Sequence, residues 1–260
     1  MGFTIPTTIQ EKAFSVIMSG RDVVGIAQTG TGKTFAYLLP SLRQWVFSKE
    51  RSPQILILVP TRELVDQVVD QAKKLTTYMN VVTVGIYGGN NIKVDVEAVS
   101  EKVDVLVATP GRLIDLVLKG ALKFKSIKKL VIDEVDEMLN LGFRTQLTTI
   151  LDLLPAKRQN LLFSATITDE VNLLIQEYFK APVMIEAALT GSPIKNISQE
   201  LYKVPNYHTK VNLLKLLLNT DADMRKVLVF VSTKQKADDL YALLENDFPE
   251  EVSVIHSNKS

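Results

Sequence analysis

The chain has 260 residues, 46% of them hydrophobic and 23% charged, an ordinary globular composition sufficient for one large domain or two smaller ones. No apolar run approaches the roughly 20 residues needed to span a bilayer, and the N-terminus lacks a basic-then-apolar export signal, so a cytoplasmic protein without membrane attachment is expected. With no cysteine, two histidines and a formal net charge of +1, disulfides, thiolate metal sites and a histidine zinc cluster are excluded, and bulk charge announces no polyanionic partner.

In chain order, Pro6 pre-sets the first turn of a helix expected from about residue 7 to 18, which places Gln10 near its start. A Gln amide accepts and donates at once, and so can pair with the N6 and N7 edge of an adenine. An apolar run over 23–26 follows, then Ala27, Gln28, Thr29, Gly30, Thr31, Gly32, Lys33 and Thr34, then a helical periodicity from Phe35 through Val46, with a kink expected at Pro40. Strand, Gly-rich loop and helix in that order are the context of a phosphate-binding loop. Its glycines let backbone N–H groups converge on an anion at a helix N-terminus, Lys33 adds a point charge on the terminal phosphates, and the Thr34 hydroxyl stands where such loops ligate Mg²⁺. The strict pattern begins with Gly; Ala27 departs from it by one methyl group.

Residues 55–59 form a continuous apolar run, the pattern of a strand buried on both faces. Pro60, Thr61, Arg62 and Glu63 come next and open a helix whose Leu64, Val68, Ala72 and Leu75 share one face. A further strand is expected over 81–86, closed by Tyr87, Gly88 and Gly89, and another over 103–108. After it Thr109 can cap a helix with Pro110 in its first turn, a helix end that beside Gly111 and Arg112 suits a phosphate. The run 130–132 leads straight into Asp133, Glu134, Val135 and Asp136. Carboxylates grouped at the end of a buried strand are costly unless a cation or catalysis uses them. In loop-type NTPases an Asp at this position holds Mg²⁺ through its water shell, and a neighbouring acid orients or deprotonates the attacking water. The strand 161–163 ends in Ser164, Ala165 and Thr166, whose hydroxyls either bond to that acidic cluster or cap the helix beginning near Asp169.

Strand and helix patterns alternate from about residue 23 to 185, which predicts an α/β fold with a mostly parallel sheet, helices on both faces and ligands at the carboxyl ends of the strands. This first domain is placed at 1–188, a linker at 189–196 and a second domain at 197–260. In the second, a strand is expected over 199–204, a helix over 207–218, a buried strand over 227–231, a helix over 236–246 and a short apolar run over 252–255. So short a segment cannot complete a doubly wound domain, and the chain reads as a piece of a longer protein.

Together these residues resemble the DEAD-box RNA helicases of helicase superfamily 2, and the resemblance covers the entire chain. Residues 2–10 are similar to the family's Q motif, 27–34 to its phosphate loop, and 60–64, Gly88-Gly89 and 109–112 to three RNA-contacting motifs. Residues 164–166 resemble the motif that couples ATP state to RNA, and 229–234 the first motif of the second lobe. The family's Asp-Glu-Ala-Asp stands here as Asp133-Glu134-Val135-Asp136, and packing is expected to absorb the extra methyl groups of Val135. The resemblance implies a RecA-like P-loop NTPase domain followed by an incomplete second RecA-like domain. It assigns ATP to Phe3, Gln10, Gln28, Thr29, Gly30, Thr31, Gly32, Lys33 and Thr34, and Mg²⁺ to Thr34 and Asp133, held mostly through water. Glu134 would activate water, with Asp133 and Lys33 as its catalytic companions. RNA would be gripped through its backbone, largely independently of sequence, by Pro60, Thr61, Arg62, Glu63, Gly88, Gly89, Thr109, Pro110, Gly111 and Arg112. Asp136, Ser164 and Thr166 would couple the two ligands. The resemblance implies a monomeric ATP-dependent RNA helicase whose arginine fingers lie in motifs beyond Ser260, so that this chain by itself hydrolyses ATP poorly. Two rival readings are a DNA-directed translocase of the same superfamily and a non-catalytic, ATP-switched RNA clamp.

Overall fold

The computed structural model describes residues 5–89, 91–187, 198–220, 224 and 226–259. Phe3 of the expected nucleotide site and the expected linker, 189–196, lie outside the described residues. The chain divides into two compact units, Met1–Pro193 and Ile194–Ser260.

Among the described residues the first unit holds seven strands, β1 (Val23–Ile26), β2 (Ile55–Leu58), β3 (Thr83–Ile86), β4 (Val105–Ala108), β5 (Lys129–Asp133), β6 (Gln159–Ser164) and β7 (Val183–Glu186). They form one sheet in the order β3-β4-β2-β5-β6-β1-β7, and every pairing is parallel. Helices α1 (Thr8–Met18), α2 (Lys33–Arg43) and α3 (Arg62–Leu75) cover one face. Helices α4 (Ile92–Ser100), α5 (Pro110–Leu118), α6 (Val135–Asn140), α7 (Arg144–Leu153) and α8 (Asp169–Tyr178) cover the other. This double cover is why β1, β2 and β4 are apolar throughout: side chains of both parities are buried, Ile55 and Ile57 under one helical layer, Leu56 and Leu58 under the other. Val135 is fully buried in the second of these cores, and Ala27 is buried in the first.

The elements depart from the sequence expectation in several places. Helix α2 begins at Lys33, two residues earlier than its periodicity suggested, and stops at Arg43 instead of running through Val46; Pro40 lies inside it. Helix α4 lies outside the sequence expectation: Ile92, Val96 and Val99 keep an i, i+4, i+7 spacing and pack into the core, but the alternation of Ile92, Val94 and Val96 with charged residues obscures it. In the second unit, helices α9 (Tyr207–Thr220) and α10 (Lys234–Glu245) form as expected around a small core of Val211, Leu240 and Leu244. The two strands expected there, over 199–204 and 227–231, do not form among the described residues, and the short run 252–255 is irregular as well. The run 227–231 in particular is irregular and open to solvent, with Leu228 75% and Phe230 86% exposed. A parallel strand is stable only with neighbours to pair with, and none of the described residues supplies one.

Candidate functional site

The carboxyl ends of the strands divide the upper edge of the sheet into two halves. Adjacent strands β5, β6 and β1 end in the acidic cluster, the Ser164 turn and the Gly-rich loop; adjacent strands β3, β4 and β2 end in Gly88-Gly89, Thr109 and Pro60-Thr61. The residues expected to hold nucleotide therefore gather on one side, and those expected to hold RNA on the other.

On the nucleotide side, the ladder between β1 and β6 extends one residue further through the Ala27 N–H, which donates to the Ser164 carbonyl (3.0 Å), and the loop then turns up to α2. Within it the Thr31 hydroxyl donates to the Gln28 carbonyl (2.7 Å). Gly32 caps α2 at φ 87°, and a β-carbon there would come within 2.4 Å of Gln10 Nε2, so both conformation and space require glycine. Gln10 joins two elements: its Oε1 accepts from the Thr7 N–H at the start of α1 (3.0 Å), and its Nε2 donates to the Gly32 carbonyl (3.2 Å). These partners fix which end of the amide is which. One N–H and one lone pair remain, the complement of an adenine edge and a mismatch for the two acceptors of guanine.

Lys33 is 5% exposed and its Nζ has no hydrogen-bond partner among the described residues. A buried ammonium left that way is costly, and nucleotide phosphates are the chemistry that would satisfy it. Asp133, 6% exposed at the end of β5, faces it. Burial pushes the Asp133 carboxyl up to about 6, against the opposing pull of the Lys33 charge. Tyr37 lies one turn along from Lys33 on the same face of α2. Its hydroxyl is buried beside Asp133 without a hydrogen bond of ordinary geometry, and burial, reinforced by the Asp133 charge, holds it well above its usual range. Sequence reading passed over Tyr37; the i, i+4 spacing from Lys33 was the available signal. Thr34 is half-buried on the next position of the helix. Thr34 and Asp133 are the residues that would hold a Mg²⁺, an ion that takes oxygen ligands, and no three His, Cys, Asp or Glu groups among the described residues converge as a self-sufficient metal cage. The ion would come with the nucleotide.

Glu134 adopts φ 54°, ψ 48°, a left-handed conformation that costs a non-glycine residue about 1–3 kcal/mol and is typically retained for function. Its N–H donates to Asp133 Oδ1 (3.0 Å), and the residue is half-buried at the end of β5. Of the two possibilities left open for the Ser164 and Thr166 hydroxyls, the bond to the acidic cluster is the one realised, and the cap of α8 falls to Thr168 instead. The Thr166 N–H and hydroxyl donate to Asp136 Oδ2 (3.0 and 2.8 Å), tying the end of β6 to α6, while Thr168 caps α8 by accepting from the Val171 N–H (3.3 Å). The Ser164 hydroxyl donates to the Thr166 carbonyl (2.6 Å) and so shapes the turn.

On the other half of the edge, Thr61 caps α3 by accepting from the Leu64 N–H (3.3 Å). Arg62 and Glu63 are exposed, Pro60 is buried, and the Arg62 guanidinium lies over Gly89, whose β-carbon would meet Nη1 at 3.1 Å. Thr109 stands at the N-cap of α5 with Pro110 next, but its side chain makes no capping bond, so the backbone N–H groups there keep their donor capacity. Arg112 differs from the expectation. It is buried, and its Nη1 pairs with Asp95 Oδ2 of α4. This guanidinium ties α5 to α4.

The comparisons with known proteins agree with this geometry. A family model described as DEAD/DEAH box helicase matches residues 7–174. The RNA helicase CrhR of Synechocystis is 37% identical over 260 residues, covering all of this chain and 52% of that protein. The DEAD-box ATP-dependent RNA helicase RhpA of Helicobacter pylori is 39% identical over 244 residues, covering 94% of this chain and 49% of that one. The chain thus spans about half the length of the curated relatives it matches. Among solved structures, a DEAD box protein from the hyperthermophile Methanococcus jannaschii is 32% identical with a TM-score of 0.69, a match over 100% of this chain and 69% of that one.

Proposed function

Because the chain belongs to the DEAD/DEAH box helicase family, we propose that it binds ATP with Mg²⁺ and uses ATP hydrolysis to control its grip on an RNA backbone, as part of an ATP-dependent RNA helicase. The observation that carries this is the buried Lys33 ammonium, which has no hydrogen-bond partner among the described residues at the foot of the Gly-rich loop and is set against the buried carboxylate of Asp133.

The division of labour follows from the positions. Gln10 reads the adenine edge with the donor and acceptor left over from Thr7 and Gly32. Backbone N–H groups at the start of α2 and the Lys33 ammonium hold the phosphates. Thr34 and Asp133 hold the ion, which when bound neutralises charge building on the transferred phosphoryl group. Glu134 orients and accepts a proton from the attacking water. Asp136 and Thr166 link this half of the edge to the Ser164 turn, so a shift of the acidic cluster moves β6's end with it. On the other half, Arg62 and the backbone around Gly88, Gly89, Thr109 and Gly111 face an RNA strand, contacts to phosphate and sugar that carry no sequence information.

The test is the ATP affinity of this chain and of Gln10→Ala and Lys33→Ala, each against GTP, with and without Mg²⁺. Adenine-selective, Mg²⁺-dependent binding that both variants lose supports the reading. Equal affinity for ATP and GTP, or binding indifferent to Lys33→Ala, overturns it. ATPase stimulation by RNA but not by DNA separates it from a DNA-directed translocase.

A further inference from the structure

The amino ends of the strands make a second face of the first unit, one strand length or about 13–20 Å from the site above. Since every pairing is parallel, the loops that lead into all seven strands lie on it. These loops carry eleven Lys or Arg against four Asp or Glu, a net +7, in a chain whose total is +1. The connections from β1 to β6 into the helices that follow them carry no Lys or Arg. Apart from Lys33 and Arg62, which open the helices after β1 and β2, loop cations thus gather at the amino end of the sheet.

Burial sharpens the asymmetry. Two of the four carboxylates point inward: Asp22 accepts from the N–H groups of Asn160 and Lys180 (2.7 and 3.0 Å), and Asp104, 1% exposed, accepts from the Val82 N–H (2.9 Å). The lysines, except Lys102, which pairs with Asp104 at 3.4 Å, are exposed. Lys123 and Lys125 stand exposed on either side of buried Phe124. Lys125 and Lys128 reach the neighbouring loop at Glu50 and Gln54 (3.9 and 3.0 Å), and Lys102 lies 4.3 Å from the ring centroid of Phe47, which is 59% exposed. Loops preceding β4, β2 and β5, which are neighbours in the sheet, therefore form one contiguous basic patch around an exposed aromatic ring. Helix C-termini also point to this face and favour cations within their last turn. That accounts for Lys119, directly after α5, but not for Lys49, Lys123, Lys125 or Lys128, which lie several residues past any helix end.

We propose that this patch is a second RNA-binding surface, taking phosphates of the strand that extends outside the ATP-controlled site, without regard to nucleotide or sequence. Lysines clustered beside an exposed aromatic ring are the combination that tracks a nucleic-acid backbone while allowing a base to stack. The proposal rests on reading the chain as acting on RNA.

The test uses the 260-residue chain and its Lys49→Gln/Lys119→Gln/Lys123→Gln/Lys125→Gln variant, all four positions exposed. Binding is measured by anisotropy for a short single-stranded RNA of about 6–8 nucleotides, which one groove accommodates, and for an RNA several times longer. Each is titrated over a range of salt, with and without a non-hydrolysable ATP analogue. The expected result is that long RNA binds wild type without nucleotide, that the variant's slope of log affinity against log salt falls by about 2–3 units, at roughly 0.7 per phosphate contact, and that ATP affinity and analogue-dependent binding of the short RNA are unchanged. The same affinity and salt slope for long RNA in both proteins overturns the proposal. So does preferential capture of polyglutamate over long RNA, which would make the patch a surface for acidic protein. If wild type fails to bind the short RNA under any nucleotide condition, it is the parent reading that fails, and the long-RNA arm still decides the patch.

Discussion

Asp133 shows how one residue carries the opposing demands of folding and function. Burial raises its carboxyl to about 6, with Lys33 pulling the other way, so at neutral pH the ionised form is held at a cost that a bound cation offsets. The stability that protonated Asp133 gives is complete below the unfolded pKa near 4 and lost as pH rises through about 6. Without nucleotide, wild type should therefore lose on the order of 3 kcal/mol relative to Asp133→Asn between about pH 4 and 6, with little further change above. Chemical denaturation of both proteins across that window checks this; a difference independent of pH contradicts it. Gln10 makes a second prediction at this scale. Its amide closes the start of α1 and, in the function proposed, pairs with the base, so Gln10→Ala should reduce the preference for ATP over GTP by about 1–3 kcal/mol and destabilise the fold by about 1 kcal/mol, seen in competition binding and in the melting temperature.

At the scale of elements, the upper edge is held in shape by a few contacts between neighbours. Arg112 and Asp95 pair in the boundary between α5 and α4, both nearly excluded from water. Removing one partner leaves the other charge buried alone, and Arg112→Ala should cost about 3–5 kcal/mol while RNA affinity falls only as far as the fold does. Loss of RNA binding with unchanged stability would instead return Arg112 to direct contact with phosphate. In β1, Gly25 passes under Phe163, and an added β-carbon would come within 2.6 Å of the ring, which itself stacks at 5.4 Å against Tyr37. Gly25→Ala must push Phe163 toward Tyr37 and the Asp133 site. A loss of about 1–3 kcal/mol in stability, accompanied by weaker Mg²⁺-dependent ATP binding, is expected from thermal melts and titration.

For the molecule as a unit, the imbalance between its two parts matters most. The first unit closes a seven-stranded sheet between two helical layers, whereas among the described residues the second buries Val211, Leu240 and Leu244 together and leaves Leu228 and Phe230 in solvent. Small cores are marginal. Unfolding should proceed in two steps, with α9 and α10 lost first and ATP binding retained until the second transition; hydrogen exchange along a denaturant series would resolve the order. A single cooperative transition that abolishes both would show that the units stabilise one another.

The sequence alone determined the parallel sheet, the phosphate loop and the acidic strand end. Buried central strands must be apolar on both faces, and an anion cradle needs glycines before a helix, so residues 23–34, 55–58 and 129–136 admit little else. It also placed Gln10 in the first turn of α1, Lys33 where the Gly-rich loop enters α2 and Asp133 at the end of β5, because capping residues, glycines and apolar runs mark those boundaries. Other features were decided only in three dimensions. The run 227–231 has the composition of a buried strand, but a strand exists only through its neighbours, and here it remains irregular. Helix α4 alternates Ile92, Val94 and Val96 with charged residues, and only the burial of Ile92, Val96 and Val99 against the core selects the helical spacing that the same stretch also carries. Arg112 meets Asp95 across 17 residues of chain, and the basic face gathers loops from all seven strands; no local pattern shows that such distant residues share one surface, since only the strand order brings them together.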